Sequence, residues 1–123
     1  MVSAYDELPR TPANFVALSP LRYLERAAYI YPHQDAIIHG HRHISWRETY
    51  QRCRQFASQL QKLGITKNDT VSVLLPNVPA MIEAHFAVPM AGAVLNTLNT
   101  RLDAKTIAFM LDHAETKVLL VDP

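Results

Sequence analysis

His39, His41 and His43 alternate, and imidazoles two apart on a strand share one face, the arrangement that chelates zinc. Gly40-His41 stands where a chain reversal is expected, which breaks that geometry. No cysteine or carboxylate lies close in sequence either, so the pattern favours a polar hairpin tip. His85 follows Glu83 in an apolar stretch. A catalytic histidine needs an orienting partner and a nucleophile or substrate nearby, and with neither identifiable a hydrogen-bonded, partly buried histidine is the simpler reading. Cys53 falls on an apolar stripe, where a thiol behaves as a small hydrophobe unless a cation on the same face activates it.

A phosphate cradle needs glycines, so that backbone N–H groups can approach and face the anion. Gly40, Gly64 and Gly92 are the only glycines and lie far apart, so neither a dinucleotide fingerprint nor a Lys-Ser/Thr phosphate loop can be built. The run Asn96-Thr97-Leu98-Asn99-Thr100-Arg101 is the better candidate. It follows an expected strand at its carboxyl end, where open α/β sheets bind ligands. Asn and Thr side chains can also fix a turn there, with Arg101 as a clamp at the next helix start, and turn chemistry alone accounts for each residue.

The elements that would position these residues follow from periodicity. Residues 1–18 hold Pro9 and Pro12 and show no helical or strand period, so they read as an extended arm. Ser19-Pro20 opens a helix, with Leu21, Leu24, Ala28 and Tyr31 at helical spacing and Pro32 ending it. Asp35 to His39 and Arg42 to Ile44 read as a hairpin. Ser45 and Glu48 form a capping box for a helix whose stripe is Trp46, Tyr50, Cys53, Ala57 and Leu60, widened by Phe56 and Leu63; Gln51, Arg52, Gln55, Gln59 and Lys62 form its polar face, and Gly64 closes it. Val71 to Leu75 reads as a strand buried on both faces. A helix over Pro79 to Met90 follows, capped by Asn77 and bent or ended by Pro89. Ala93 to Leu98 reads as a second buried strand. Asp103 to His113 is an amphipathic helix with Ile107, Met110, Leu111 and Ala114 on one face, and Lys117 to Val121 is a last strand. Strand–helix–strand–helix–strand with short links implies right-handed βαβ units and a parallel sheet.

Composition limits the partners. A 123-residue chain with 49% hydrophobic and 19% charged residues is one domain at most, of ordinary globular type. Net charge is +1, with eight Lys/Arg against five Asp/Glu up to Lys62 and four against six beyond it, a weak dipole that implies no nucleic-acid partner. No stretch approaches the roughly 18 uninterrupted apolar residues of a membrane span. Met1 to Pro12 lacks the apolar core of a secretory signal. A single cysteine excludes an intrachain disulfide and a multi-cysteine metal site and suits a reducing cytoplasm, the location these features favour.

Three motifs in order carry a resemblance. Ile44-Ser45-Trp46-Arg47-Glu48-Thr49-Tyr50 looks like the first core motif of the adenylate-forming enzymes, the acyl-CoA synthetase and acyl-activating superfamily. Leu75-Pro76-Asn77 resembles their strand-ending LPN, and Met90 to Asn96 with Asn99 and Arg101 resembles the second core motif. The likeness runs from about Pro20 to Val121, and Asn99-Thr100-Arg101 resembles the branch of medium-chain and aromatic acyl-activating enzymes. It implies an α/β fold: a partial parallel-sheet layered domain with flanking helices and a short N-terminal hairpin. Residues 19–123 would then be an incomplete N-terminal domain of an AMP-dependent synthetase or ligase.

A complete enzyme of that kind uses ATP, Mg and coenzyme A. A carboxylate attacks the α-phosphate of ATP to give an acyl-adenylate and pyrophosphate, and the thiol of coenzyme A then displaces AMP. The phosphate loop, adenine-gripping residues, hinge and lysine that do this work lie beyond the second core motif. No catalytic, cofactor-binding or metal-ligating residue is therefore carried over to this chain. The expectation is an N-terminal fragment or truncated product of an acyl-CoA synthetase of fatty acid metabolism, inactive and without cofactor alone, and prone to self-association through uncovered apolar surface. The alternative is a small stand-alone α/β binding module.

Overall fold

Ser19 and Pro20 begin the first helix as their chemistry demands. In the computed structural model, which describes residue 7 and residues 9–122, the Ser19 hydroxyl accepts from the Leu21 N–H at 3.3 Å and Pro20 occupies the first helical position. Helix α1 (Pro20–Ile30) is followed by β1 (Asp35–His39), β2 (Arg42–Ser45), α2 (Trp46–Lys62), β3 (Thr70–Leu74), α3 (Pro79–Met90), β4 (Val94–Thr97), α4 (Ala104–His113) and β5 (Thr116–Val121). Residues 9–18 carry no helix or strand; Asn14 folds back there, accepting from the Thr11 N–H and donating to the Pro9 carbonyl. Residues 1–6 and 8 of the expected arm lie outside the described residues.

β1 and β2 form an antiparallel hairpin, and the other three strands form a parallel sheet in the order β4-β3-β5. From β3 the chain steps to one side through α3, then returns from β4 across β3 to β5 through α4. Right-handed crossovers in opposite directions place α3 and α4 on opposite faces. Val71 and Val73 project to the face covered by α2 and α3, where Leu60, Ile65, Val88 and Ala93 join Val71 in one buried cluster. Leu24, Cys53 and Ala87 form a second cluster between the three helices α1, α2 and α3.

Two of these helices end in the same way, and their endings feed that core. Gly64 (φ +85°) follows α2: its N–H donates to the Gln61 carbonyl and the Ile65 N–H to the Leu60 carbonyl, each at 3.0 Å. Gly92 (φ +81°) repeats this after α3, with bonds to Pro89 and from Ala93 to Val88. This paired closure brings the residue after the glycine onto the last helical turn. Both resulting contacts, Leu60 with Ile65 and Val88 with Ala93, belong to the cluster around Val71.

Several expectations are corrected. The hydroxyl half of the capping box forms, Ser45 accepting from the Glu48 N–H at 3.2 Å, but among the described residues no bond returns from the Glu48 carboxylate. Leu63 is 68% exposed because it is the C-cap of α2, rotated off the stripe, whereas Thr49 is buried and donates to the Ser45 carbonyl. α3 is capped by Val78 without a side-chain bond, so Asn77 stands one residue too early; Pro79 at the helix start leaves one fewer free N–H to satisfy. β4 is an edge strand rather than a buried one, since β3 takes the centre, and Val94 is half exposed. α4 buries no residue completely; Ile107, Met110, Leu111 and Ala114 are half-buried as a face, and Phe109 stacks on His113 at 5.6 Å.

The sheet face opposite the core carries a polar ladder. Asn96 donates to the Ser72 hydroxyl at 3.0 Å, and Ser72 bonds the Thr116 hydroxyl at 2.7 Å, so one hydrogen-bonded line crosses all three strands. Ser72 is fully buried, and these partners are what allow a hydroxyl at that position.

Asp103 caps α4, accepting from the Thr106 hydroxyl at 2.6 Å and its N–H at 3.0 Å; these bonds, the hydroxyl's first, hold its carboxyl below the usual carboxylate value. A depressed folded value means the cap stabilises fully above the unfolded pKa of about 3.9 and is lost as pH falls through the folded one. The stability gap between the native chain and Asp103→Ala should therefore shrink as pH is lowered below about 4. Denaturant melts at neutral and acid pH check this, and a gap unchanged in acid would refute it.

Candidate functional site

The one buried charged residue among the described residues lies where α3 packs on α2. Glu83 projects from α3 toward α2 with its side chain only 7% exposed, a position that a carboxylate occupies only when paired. Arg52 supplies the partner: its Nε donates to Oε1 at 2.5 Å and its Nη2 to Oε2 at 3.1 Å, a two-pronged pair. The Glu83 hydrogen bond is the main cause of a raised Arg52 pKa, with desolvation working against it. Arg52 thus leaves the polar face expected of it and ties two helices together, while its side chain keeps 38% exposure.

An open groove of about 650 Å³ runs past this pair at the carboxyl ends of β3 and β5. Arg52, Gln55 and Gln59, spaced about one turn apart on α2, form its polar wall; Phe56, Leu75 and Leu120 form its apolar floor. Carboxyl ends of parallel strands are where open α/β sheets take ligands. Glu83 engages Arg52 through Nε and Nη2, and the other two wall residues are neutral amides.

The sequence candidates fall elsewhere. His43 Nδ1 lies 2.6 Å from Asp35 Oδ2, so hairpin pairing supplies the carboxylate that seemed distant in sequence. Among the described residues, no group of three or more His, Cys, Asp or Glu could hold a metal ion. His85 is exposed rather than partly buried, and its Nδ1 bonds the Met81 carbonyl of its own helix at 2.7 Å, while Glu83 faces α2. Cys53 is buried with its thiol toward the Glu83 carbonyl, and burial first, then the Glu83 charge, pushes its pKa up to about 11. Asn96 serves the polar ladder. Asn99 accepts from the Arg101 N–H at 2.9 Å to fix a turn, and Asp103, not Arg101, secures the start of α4.

These residues do not fit ATP. The Gly64 and Gly92 N–H groups already donate to helix carbonyls, so they offer nothing to a phosphate, and Gly40 sits alone at the hairpin turn.

The description "AMP-binding enzyme" belongs to the family model that matches residues 24–123. The acetate–CoA ligase CCL3 of Humulus lupulus is 56% identical over 117 residues, covering 95% of this chain and 21% of that ligase. The peroxisomal trans-cinnamate:CoA ligase of Petunia hybrida is 57% identical, with 95% and 20% covered. Among solved structures, the O-succinylbenzoate coenzyme A synthetase of Bacillus subtilis in complex with AMP superposes with a TM-score of 0.76 at 28% identity, over 81% of this chain and 26% of that one. The chain thus spans about a fifth of the length of the curated relatives it matches. Cytoplasmic location, expected from cysteine usage and the lack of a leader pattern, is overturned: several relatives are named as peroxisomal. Neither feature distinguishes the two compartments.

Proposed function

Because the chain belongs to the AMP-binding enzyme family, we propose that it is the N-terminal scaffold of an ATP-dependent acid–CoA ligase. One observation carries the reading: identity of 56% across 95% of the chain with an acetate–CoA ligase. The whole enzyme would join a carboxylate to coenzyme A through an acyl-adenylate, with ATP and Mg. Relatives named for acetate, butyrate, cinnamate and benzoate support an acid class of small aliphatic or aromatic carboxylates, whose aliphatic end would overlap fatty acid metabolism. A peroxisomal setting goes with the same relatives.

The scaffold's part is mechanical: it presents a parallel sheet, two tightly closed helices and a groove. The 123-residue chain alone should give no ATP–pyrophosphate exchange with any of these acids. Exchange clearly above a heat-killed control would overturn that division of labour. Half-exposed Val94 on β4 and Val121 on β5 leave apolar surface on both edges of the sheet, so the isolated chain should also self-associate. Light scattering across a concentration series checks this, and a monomer at every concentration would refute it.

A further inference from the structure

Residues 9–18 are exposed along their whole length, yet one point in them is built. Asn14 Oδ1 accepts the Thr11 N–H at 2.8 Å and the Thr11 hydroxyl at 3.2 Å, while the Thr11 carbonyl accepts the Asn14 N–H at 3.1 Å. Arg10, next in the chain, lies over the Phe15 ring at 4.8 Å and makes no ion pair among the described residues. Pro12 follows Thr11 directly. It has no N–H to satisfy and disfavours helical backbone at Thr11, so the exposed hydroxyl is carried on a residue biased toward extension.

We propose that Thr11 is a phosphorylation site for a proline-directed protein kinase, with Arg10 as the catch for the phosphate. The γ-phosphorus of ATP forms a bond to Thr11 Oγ1 as its bond to the bridging oxygen breaks; ADP leaves and the hydroxyl proton passes to the kinase's base. The modified side chain has no proton for Asn14 Oδ1 and sets about two negative charges beside it. The Thr11–Asn14 contact therefore opens. Arg10 exchanges a weak, exposed cation–π contact for a charge-assisted, two-pronged bond to phosphate, and Phe15 loses its cover.

Ser19-Pro20 is the one other Ser/Thr-Pro step in the chain. Its hydroxyl already accepts the Leu21 N–H, and Pro20 is the first residue of α1. An extended kinase substrate can form there only when the first turn of α1 opens. Thr11 is held by one exposed turn and needs no helix to unwind.

Nothing in this depends on ligase activity, so the 123-residue chain itself serves for the test. It is incubated with Mg-ATP and a recombinant cyclin-dependent kinase as the probe, and phosphate is mapped by peptide mass spectrometry. Thr11 should be modified faster than Ser19 by roughly tenfold or more, as expected where one site waits on local opening. Pro12→Ala should remove that advantage. In proton NMR, the Arg10 side-chain signals displaced by the Phe15 ring should move to open-chain positions on phosphorylation. Thr11→Ala treated alike should keep them where they were.

Phosphate absent from Thr11, or reaching Ser19 as fast, overturns the site, and so does a Pro12→Ala chain modified at the native rate. Arg10 signals that stay put in a fully modified chain, or that move as far in Thr11→Ala, overturn the catch.

Discussion

Leu60→Ala should destabilise the chain by about 2–5 kcal/mol, the range for truncating a buried leucine whose surroundings only partly relax. Leu60 is 1% exposed and serves two structures at once. Its side chain packs with Val71, Val88 and Ala93, and its carbonyl accepts the Ile65 N–H that closes α2 behind Gly64. The substitution keeps that carbonyl but removes the apolar contact with Ile65, so core and helix closure loosen together. Gln59→Ala, one residue earlier and exposed, should change stability by no more than about 0.5 kcal/mol. Urea melts of both variants decide the matter, and equal effects would mean that the face assignment of α2 is wrong.

Why α2 was legible in the sequence and other features were not is a matter of range. The cap at Ser45, the stripe through Cys53, Ala57 and Leu60, and the Gly64 stop all act within one or two turns, so local spacing specifies them. The parallel sheet was legible too, because short links between alternating elements leave few topologies. Strand order was not: nothing in Ala93 to Leu98 says that β3 will sit between it and β5, so an apolar run looked buried on both faces and proved half-exposed at an edge. The His43–Asp35 contact depends on a bulge between Asp35 and Ile37 in the hairpin register, which residue types alone do not specify. Asn99 was legible as a turn former because its bond spans two residues, whereas the Ser72 bonds to Asn96 and Thr116 reach across strands. The Arg52–Glu83 pair was missed, although a signal existed. Glu83 is the one Asp, Glu, Lys or Arg between Asp69 and Arg101, and a lone carboxylate on an apolar helix demands a partner from elsewhere.

That pair should show a strong asymmetry. Arg52→Met leaves a carboxylate with 7% exposure and no counter-charge, a change that costs roughly 3–5 kcal/mol at fully buried pairs. The lower part of that range applies here, since Arg52 keeps 38% exposure and solvent already screens its end of the contact. Glu83→Leu should cost less, because a half-exposed guanidinium can turn to water, while the leucine fills apolar space against α2. The double variant Arg52→Met with Glu83→Leu should recover most of the loss, because no unpaired charge then remains in the interface. The four melts form a double-mutant cycle that isolates the coupling between the two side chains. Additive effects would show that the pair contributes no coupling and that apolar packing alone holds α2 against α3. Strong coupling would instead identify one bidentate contact, joining residues 31 apart in the chain, as the tie that sets the spacing of the two helices over the groove.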